Sequence, residues 1–85
     1  MNDDKAYDLL FSTYEKNFPF DLLYQICNHY FGESRIKGSH HTYKTGFQSS
    51  CARITIQPDN GDKSKAKAYQ VKQVRNAVES LLLKE

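Results

Sequence analysis

The period at which apolar residues recur changes twice along these 85 residues, and the two changes limit what the chain can fold into. A 3.6-residue period buries one stripe of a helix, whereas a period of two buries one face of a strand. In residues 4–17, Tyr7, Leu10, Phe11 and Tyr14, followed by Phe18, lie on one helical stripe. They predict a first helix with an aromatic core face, and Asp3 and Asp4 precede it, where the positive end of a helix favours acids. Asn17-Phe18-Pro19 breaks that helix, because proline is tolerated in a first turn but not in a helix interior. A second helix is expected from about Pro19 or Phe20, with Leu22, Leu23, Ile26, Cys27 and Tyr30 inward and Gly32 as its C-cap. His29 falls at the edge of that face and reads as a boundary histidine.

After Glu33 the period is two. In Ser34-Arg35-Ile36-Lys37, Ile36 points one way and its neighbours the other. Gly38-Ser39 follows, and glycine in the first position of a two-residue loop predicts a type II′ hairpin turn. On the returning strand, alternation groups His41, Tyr43 and Thr45 on one face and His40, Thr42 and Lys44 on the other. Tyr43 is the large residue, so its face is expected to be the core side. Gly46-Phe47-Gln48-Ser49-Ser50 reads as a turn. Residues 51–57 then form a third strand, with Ala52, Ile54 and Ile56 inward and Arg53, Thr55 and Gln57 outward. The open face therefore collects Arg35, Lys37, His40, Thr42, Lys44, Arg53, Thr55 and Gln57. A single bulge would exchange His40 with His41.

Pro58 ends the sheet and Asp59-Asn60-Gly61-Asp62 is a turn cluster. Lys63-Ser64-Lys65-Ala66-Lys67 reads as a flexible basic approach. The helical period returns from about Ala68 to Leu83, with Val71, Val74, Val78 and Leu81 as the stripe and Lys72 and Arg75 on another side. The order is α-α-β-β-β-α. It predicts an α+β sandwich in which helices cover one face of a three-stranded antiparallel sheet and leave the other to a ligand. A chain of this length forms one domain, residues 1–85, with a modest core.

Charge divides the chain. Residues 1–33 hold Lys5 and Lys16 against six acids, a balance of −4, whereas residues 34–85 hold ten bases and four acids, a balance of +6. A basic remainder suggests a polyanionic partner, although solvated surfaces alone would also account for it. No apolar run reaches the ~20 residues of a membrane span and no signal-peptide pattern opens the chain, so neither membrane nor export is expected, and the cytoplasm is the expected compartment. In that setting Cys27 and Cys51 read as small core residues rather than as a disulfide.

The densest chemistry lies in Lys37-Gly38-Ser39-His40-His41-Thr42-Tyr43-Lys44. The chain shows no phosphate-binding glycine loop, dinucleotide fingerprint or calcium loop. Adjacent histidines in a strand point to opposite faces and make a poor metal pair, so neither a metal nor another cofactor is expected. RNA cleavage suits the turn better. Attack of a ribose 2′-hydroxyl on the adjacent phosphate needs proton transfer and charge stabilisation, and histidine is the side chain that titrates near neutrality. Lysines and Arg53 would steady the phosphate oxygens. The residues by themselves leave three readings open: catalysis, nucleic-acid binding without catalysis, and a plain interaction domain.

The run from Ser34 to Tyr43 resembles the R-x-K-G-S-H-H-x-[FY] signature of HicA-type toxins, which are small mRNA endoribonucleases of type II toxin–antitoxin modules. Arg53-Ile54-Thr55-Ile56-Gln57-Pro58 and Ala68-Tyr69-Gln70-Val71-Lys72-Gln73-Val74-Arg75 resemble that family's third strand and last helix. The likeness spans residues 34–78, and the two-helix segment 1–33 departs from the shortest members. The resemblance implies a fold like the double-stranded-RNA-binding domain, metal-independent cleavage of mRNA and neutralisation by a HicB-type antitoxin. It also implies that the histidine of the turn, His40, is catalytic, with His41 as competitor because some members carry the residue one place later. Gly38 would then be structural. The expected RNA contacts are Lys37, Ser39, Lys44 and Arg53, with Lys65, Lys67, Lys72 and Arg75 widening the basic footprint. A non-catalytic RNA-binding or adaptor domain on the same fold is the alternative.

Overall fold

A computed structural model describes residues 1–44 and 53–83. Helix α1 spans Asp3–Ser12, α2 Phe20–Phe31 and α3 Ala68–Leu83, and strands β1 Arg35–Lys37, β2 His40–Lys44 and β3 Arg53–Ile56 form one antiparallel sheet in the order β1-β2-β3. The fold is α+β. The buried core takes Leu10 from α1, Leu23, Ile26 and Cys27 from α2, and Tyr43, Ile54 and Ile56 from the sheet. Phe18, Phe20 and Ala66, with Val71, Val74, Ala77 and Val78 of α3, complete it. Helices α2 and α3 meet each other, and they meet β2 and β3 respectively, so the helices line the face that carries Tyr43 and the two isoleucines.

The first helix is shorter than its apolar period predicts. The Asn2 side chain accepts a hydrogen bond from the Lys5 N–H at 2.8 Å, and Asp3 and Asp4 occupy the first turn, which suits the positive end of the helix. At the other end the chain leaves the helix at Thr13, whose backbone is extended. Arg75 caps that end from α3: its guanidinium donates to the Leu10 carbonyl at 2.9 Å and to the Thr13 carbonyl at 2.6 Å. Carbonyls in the last turn lack partners within the helix, so this cap supports the early stop. A short 3-10 turn, Glu15–Asn17, follows.

The early stop corrects the expected aromatic core of residues 4–17. Tyr14 lies past the helix end and is 61% exposed, and Tyr7 is 44% exposed. The residues of α1 that are buried are Ala6 and Leu10, one turn apart. Tyr7 instead stacks on half-buried Phe11, ring centroids 4.4 Å apart, at the rim of the core.

Helix α2 begins after Pro19 and ends at Gly32, as its sequence predicts. Gly32 adopts φ +83° and donates its N–H to the Asn28 carbonyl at 3.1 Å, a left-handed stop that glycine makes without steric cost. The Tyr43 hydroxyl donates to Asn28 Oδ1 at 2.7 Å, which ties β2 to this helix and gives the buried phenol a partner. Cys27 is buried and burial pushes its thiol pKa well up; Cys51, Thr45, Ala52 and the turn read at residues 46–50 lie outside the described residues.

The segment before α3 is pinned, not flexible. Phe20 donates to the Ser64 carbonyl at 3.0 Å, Ala66 to Phe18 at 2.8 Å and Asp59 to Lys65 at 2.8 Å. Residues 64–66 thus pair with residues 18–20 on one side and with the chain after β3 on the other, and Ala66 is buried. The lysines dominate the local composition, but this backbone pairing sets the conformation. In α3, Gln70 is buried among the valines, and its Oε1 accepts the Gln57 N–H at 2.9 Å, which satisfies the backbone just past β3.

Candidate nucleic-acid interface

The hairpin sets the geometry. Lys37 pairs with His40 across Gly38-Ser39, so the loop has two residues. Gly38 has φ +62° and among the described residues no non-glycine has positive φ, which fits the type II′ turn predicted for glycine first in the loop. A Cβ added at Gly38 would meet nothing within 4 Å, so the position requires glycine for its backbone angle and not for space.

From that turn the register carries across the sheet. Arg35 pairs with Thr42 and Thr42 with Thr55, while Lys44 pairs with Arg53. Cross-strand partners share a face. Arg35, Lys37, His40, Thr42, Lys44, Arg53 and Thr55 therefore stand together on the face opposite the helices. The five charged or imidazole side chains are exposed, and Thr42 and Thr55 are half-buried and hydrogen-bonded to each other at 3.0 Å. Among the described residues, no carboxylate lies within ion-pair distance of Arg35, Lys37, Lys44 or Arg53. Four cations close together favour a polyanion. A cleft of about 330 Å³ runs along the β1 side, lined by Phe31, Glu33, Ser34, Arg35, Thr42 and Lys44.

His41 faces the other way. It pairs with Ile36 and Ile56, and its ring sits 5.6 Å from that of Phe20 and 4.8 Å from that of Tyr24. Its Nδ1 is buried without a hydrogen-bond partner among the described residues. Burial lowers its pKa below the ordinary value of 6.5, because the charged form would lose hydration there. Tyr43 is also inward, and burial pushes its phenol pKa far up.

The expected contact residues separate into two groups. Lys37, Lys44 and Arg53 share the face of His40, and Ser39 stands at its edge in the turn. The other four belong to the helical layer or to the loop that leads into it. Lys65 reaches Asn17 Oδ1 at 3.1 Å and Asp62 at 3.8 Å, and Lys67 is half-buried just before α3. Lys72 lies 3.7 Å from Glu15, and Arg75 caps α1. Sequence reasoning assigned Lys72 and Arg75 from their charge and helical position, which carry no signal of the carbonyls and the carboxylate they meet.

Beside Ser39 a smaller pocket of about 110 Å³ is lined by Ser39, Gln57, Pro58, Asp59, Asn60 and Lys63. In the sequence its loop reads only as a turn cluster. Among the described residues, no three His, Cys, Asp or Glu side chains group as metal ligands, and no helix is long and apolar enough to cross a membrane.

Compared with known proteins, the chain matches no family model, no curated protein and no solved structure.

Proposed function

We propose that this chain is a metal-independent endoribonuclease of the HicA toxin type, acting on mRNA through His40 on a fold like the double-stranded-RNA-binding domain. One observation carries the reading: His40 shares a helix-free sheet face with Arg35, Lys37, Lys44 and Arg53. RNA laid along this face would bring its phosphates to the four cations. His40 takes the proton of a ribose 2′-hydroxyl, and the 2′-oxygen attacks the adjacent phosphorus. The bond from phosphorus to the 5′-oxygen breaks, that oxygen takes a proton from water, and protonated His40 returns its proton to the solvent. The products are a 2′,3′-cyclic phosphate and a 5′-hydroxyl. The cations stabilise charge on the non-bridging oxygens, and proton transfer by a placed imidazole contributes ~10²–10⁴-fold. The working compartment is the cytoplasm, where mRNA is found. A HicB-type antitoxin would silence the toxin by covering the basic face with an acidic surface.

The test is incubation of wild type and His40→Ala with end-labelled mRNA in EDTA. Cleavage by wild type alone supports the reading, and cleavage by both removes His40 from the mechanism. A second reading, RNA binding without cleavage, is favoured by the company His40 keeps. Among the strand residues its neighbours on that face are threonines, lysines and arginines, and the Tyr43 phenol is turned inward to Asn28. That reading predicts salt-dependent binding and no scission by wild type.

A further inference from the structure

The small pocket beside the turn holds side chains of a different kind from the basic face. In the sheet His41 pairs with Ile56, the last residue of β3, and Ser39 lines the pocket together with Gln57 and Pro58, the two residues that follow. The pocket therefore opens at the end of the sheet next to His40, with Ser39 as one wall and the loop from Gln57 to Lys63 as the others. The residues that line it carry two amides (Gln57, Asn60), a hydroxyl (Ser39), an ammonium (Lys63) and a carboxylate (Asp59). One carboxylate and one ammonium leave the pocket formally neutral, so unlike the four-cation face it suits a neutral group that both donates and accepts hydrogen bonds. The carboxylate is also held in place. Asp59 is half-buried, its N–H donates to the Lys65 carbonyl at 2.8 Å, and its Oδ1 accepts the Gly61 N–H at 2.9 Å. Among the described residues no hydrogen bond or ion pair engages Oδ2.

Resting on the ribonuclease reading, we infer that this pocket is a nucleobase subsite that selects guanine next to the bond His40 cleaves. Guanine presents two adjacent donors, N1–H and the N2 amine, which match the two oxygens of one carboxylate. Its O6 acceptor suits Lys63 or an amide. Adenine lacks the paired donors, and uracil offers only one. At about 110 Å³ the pocket admits one base, inserted by its edge. The subsite supplies sequence preference, which contacts to phosphates cannot give.

The experiment uses short fluorescent RNAs that carry guanine, inosine or adenine at one position of an otherwise uniform strand. Cleavage and binding are both measured for wild type, Asp59→Asn and Asn60→Ala. Inosine lacks only the N2 amine. Asp59→Asn retains Oδ1 for Gly61, so the turn is kept while the charge and one acceptor are changed. Wild type is expected to prefer guanine over inosine by roughly tenfold, the usual scale for a paired base contact, and Asp59→Asn to reduce that ratio towards one. Cleavage without guanine preference, or an unchanged ratio in Asp59→Asn, overturns the subsite and leaves the ribonuclease reading standing. Guanine-dependent binding without cleavage upholds the subsite and sinks the catalytic reading. Absence of both RNA binding and cleavage overturns both.

Discussion

His40 and His41 are adjacent in the chain and opposite in circumstance. His40 is exposed beside Lys37 on a face with four cations, whereas His41 is held between Phe20 and Tyr24 with a buried nitrogen that has no partner among the described residues. The contrast extends to the whole sheet. Its inner face carries Tyr43, Ile54 and Ile56, all at most 1% exposed, and its outer face carries side chains that contribute little to packing. A single peptide step separates the part of the molecule that holds the fold from the part available for chemistry. Side-chain identity says little about role here; the face decides it.

Substitutions on the two faces should therefore separate stability from function. The largest effect on stability is expected at Tyr43. Replacing it with alanine removes the largest fully buried side chain and its bond to Asn28, at a cost of about 3–5 kcal/mol. That is a large share of the roughly 4–13 kcal/mol available to a chain of this size. Lys44→Ala, one residue on, should change stability by about 0.5 kcal/mol or less. Urea unfolding reads both, and equal losses would break the comparison.

The next largest effect belongs to Arg75. Its loss leaves the Leu10 and Thr13 carbonyls without their donor, and hydrogen bonds from a charged group contribute about 1.5–3 kcal/mol. Arg75→Ala is expected to lower the melting temperature and to leave the salt dependence of RNA binding unchanged. Lys37→Ala and Arg53→Ala should do the reverse. Each removes one phosphate contact, which lowers the slope of log affinity against log salt by about 0.7 on single-stranded RNA. Fluorescence anisotropy across a salt series distinguishes the two groups.

The smallest effect sharpens the histidine pair. Burial lowers the pKa of His41 in the folded state, so between that value and the ordinary 6.5 the unfolded chain binds more protons. Stability rises with pH across this window: the contribution of neutral His41 is complete above about 6.5 and is lost as the pH falls towards the folded value. His41→Phe should flatten that part of a urea-midpoint profile.

Much of this organisation was legible in the sequence. The changes of period located α2, the hairpin and α3, because long apolar patterns and a glycine in the turn leave few alternatives. Alternation from Tyr43 assigned His40 and His41 to their faces for the same reason: a large phenol in a strand next to a lysine has one side on which to be buried. What could not be read were contacts made between distant segments. Tyr7 and Tyr14 fit a helical stripe, but α1 stops at Ser12 and packs through Ala6 and Leu10. The basic stretch near Lys65 looked mobile because backbone pairing with residues 18–20 leaves no mark on composition. Arg75 looked like a surface cation because its partners are main-chain carbonyls of a helix 62 to 65 positions away. The pocket around Asp59 was hidden for a related reason, since a turn cluster and a binding loop share the same residue types.

The division between the two faces is tested most directly by the rates at which His40→Ala and His41→Phe cleave the same RNA in EDTA, with urea midpoints recorded beside them. His40→Ala is expected to lose at least ~10²-fold in rate with its midpoint unchanged, and His41→Phe to keep its rate. A folded His40→Ala that cleaves like wild type, beside a folded His41→Phe that does not, would contradict the account and assign the chemistry to the inner face.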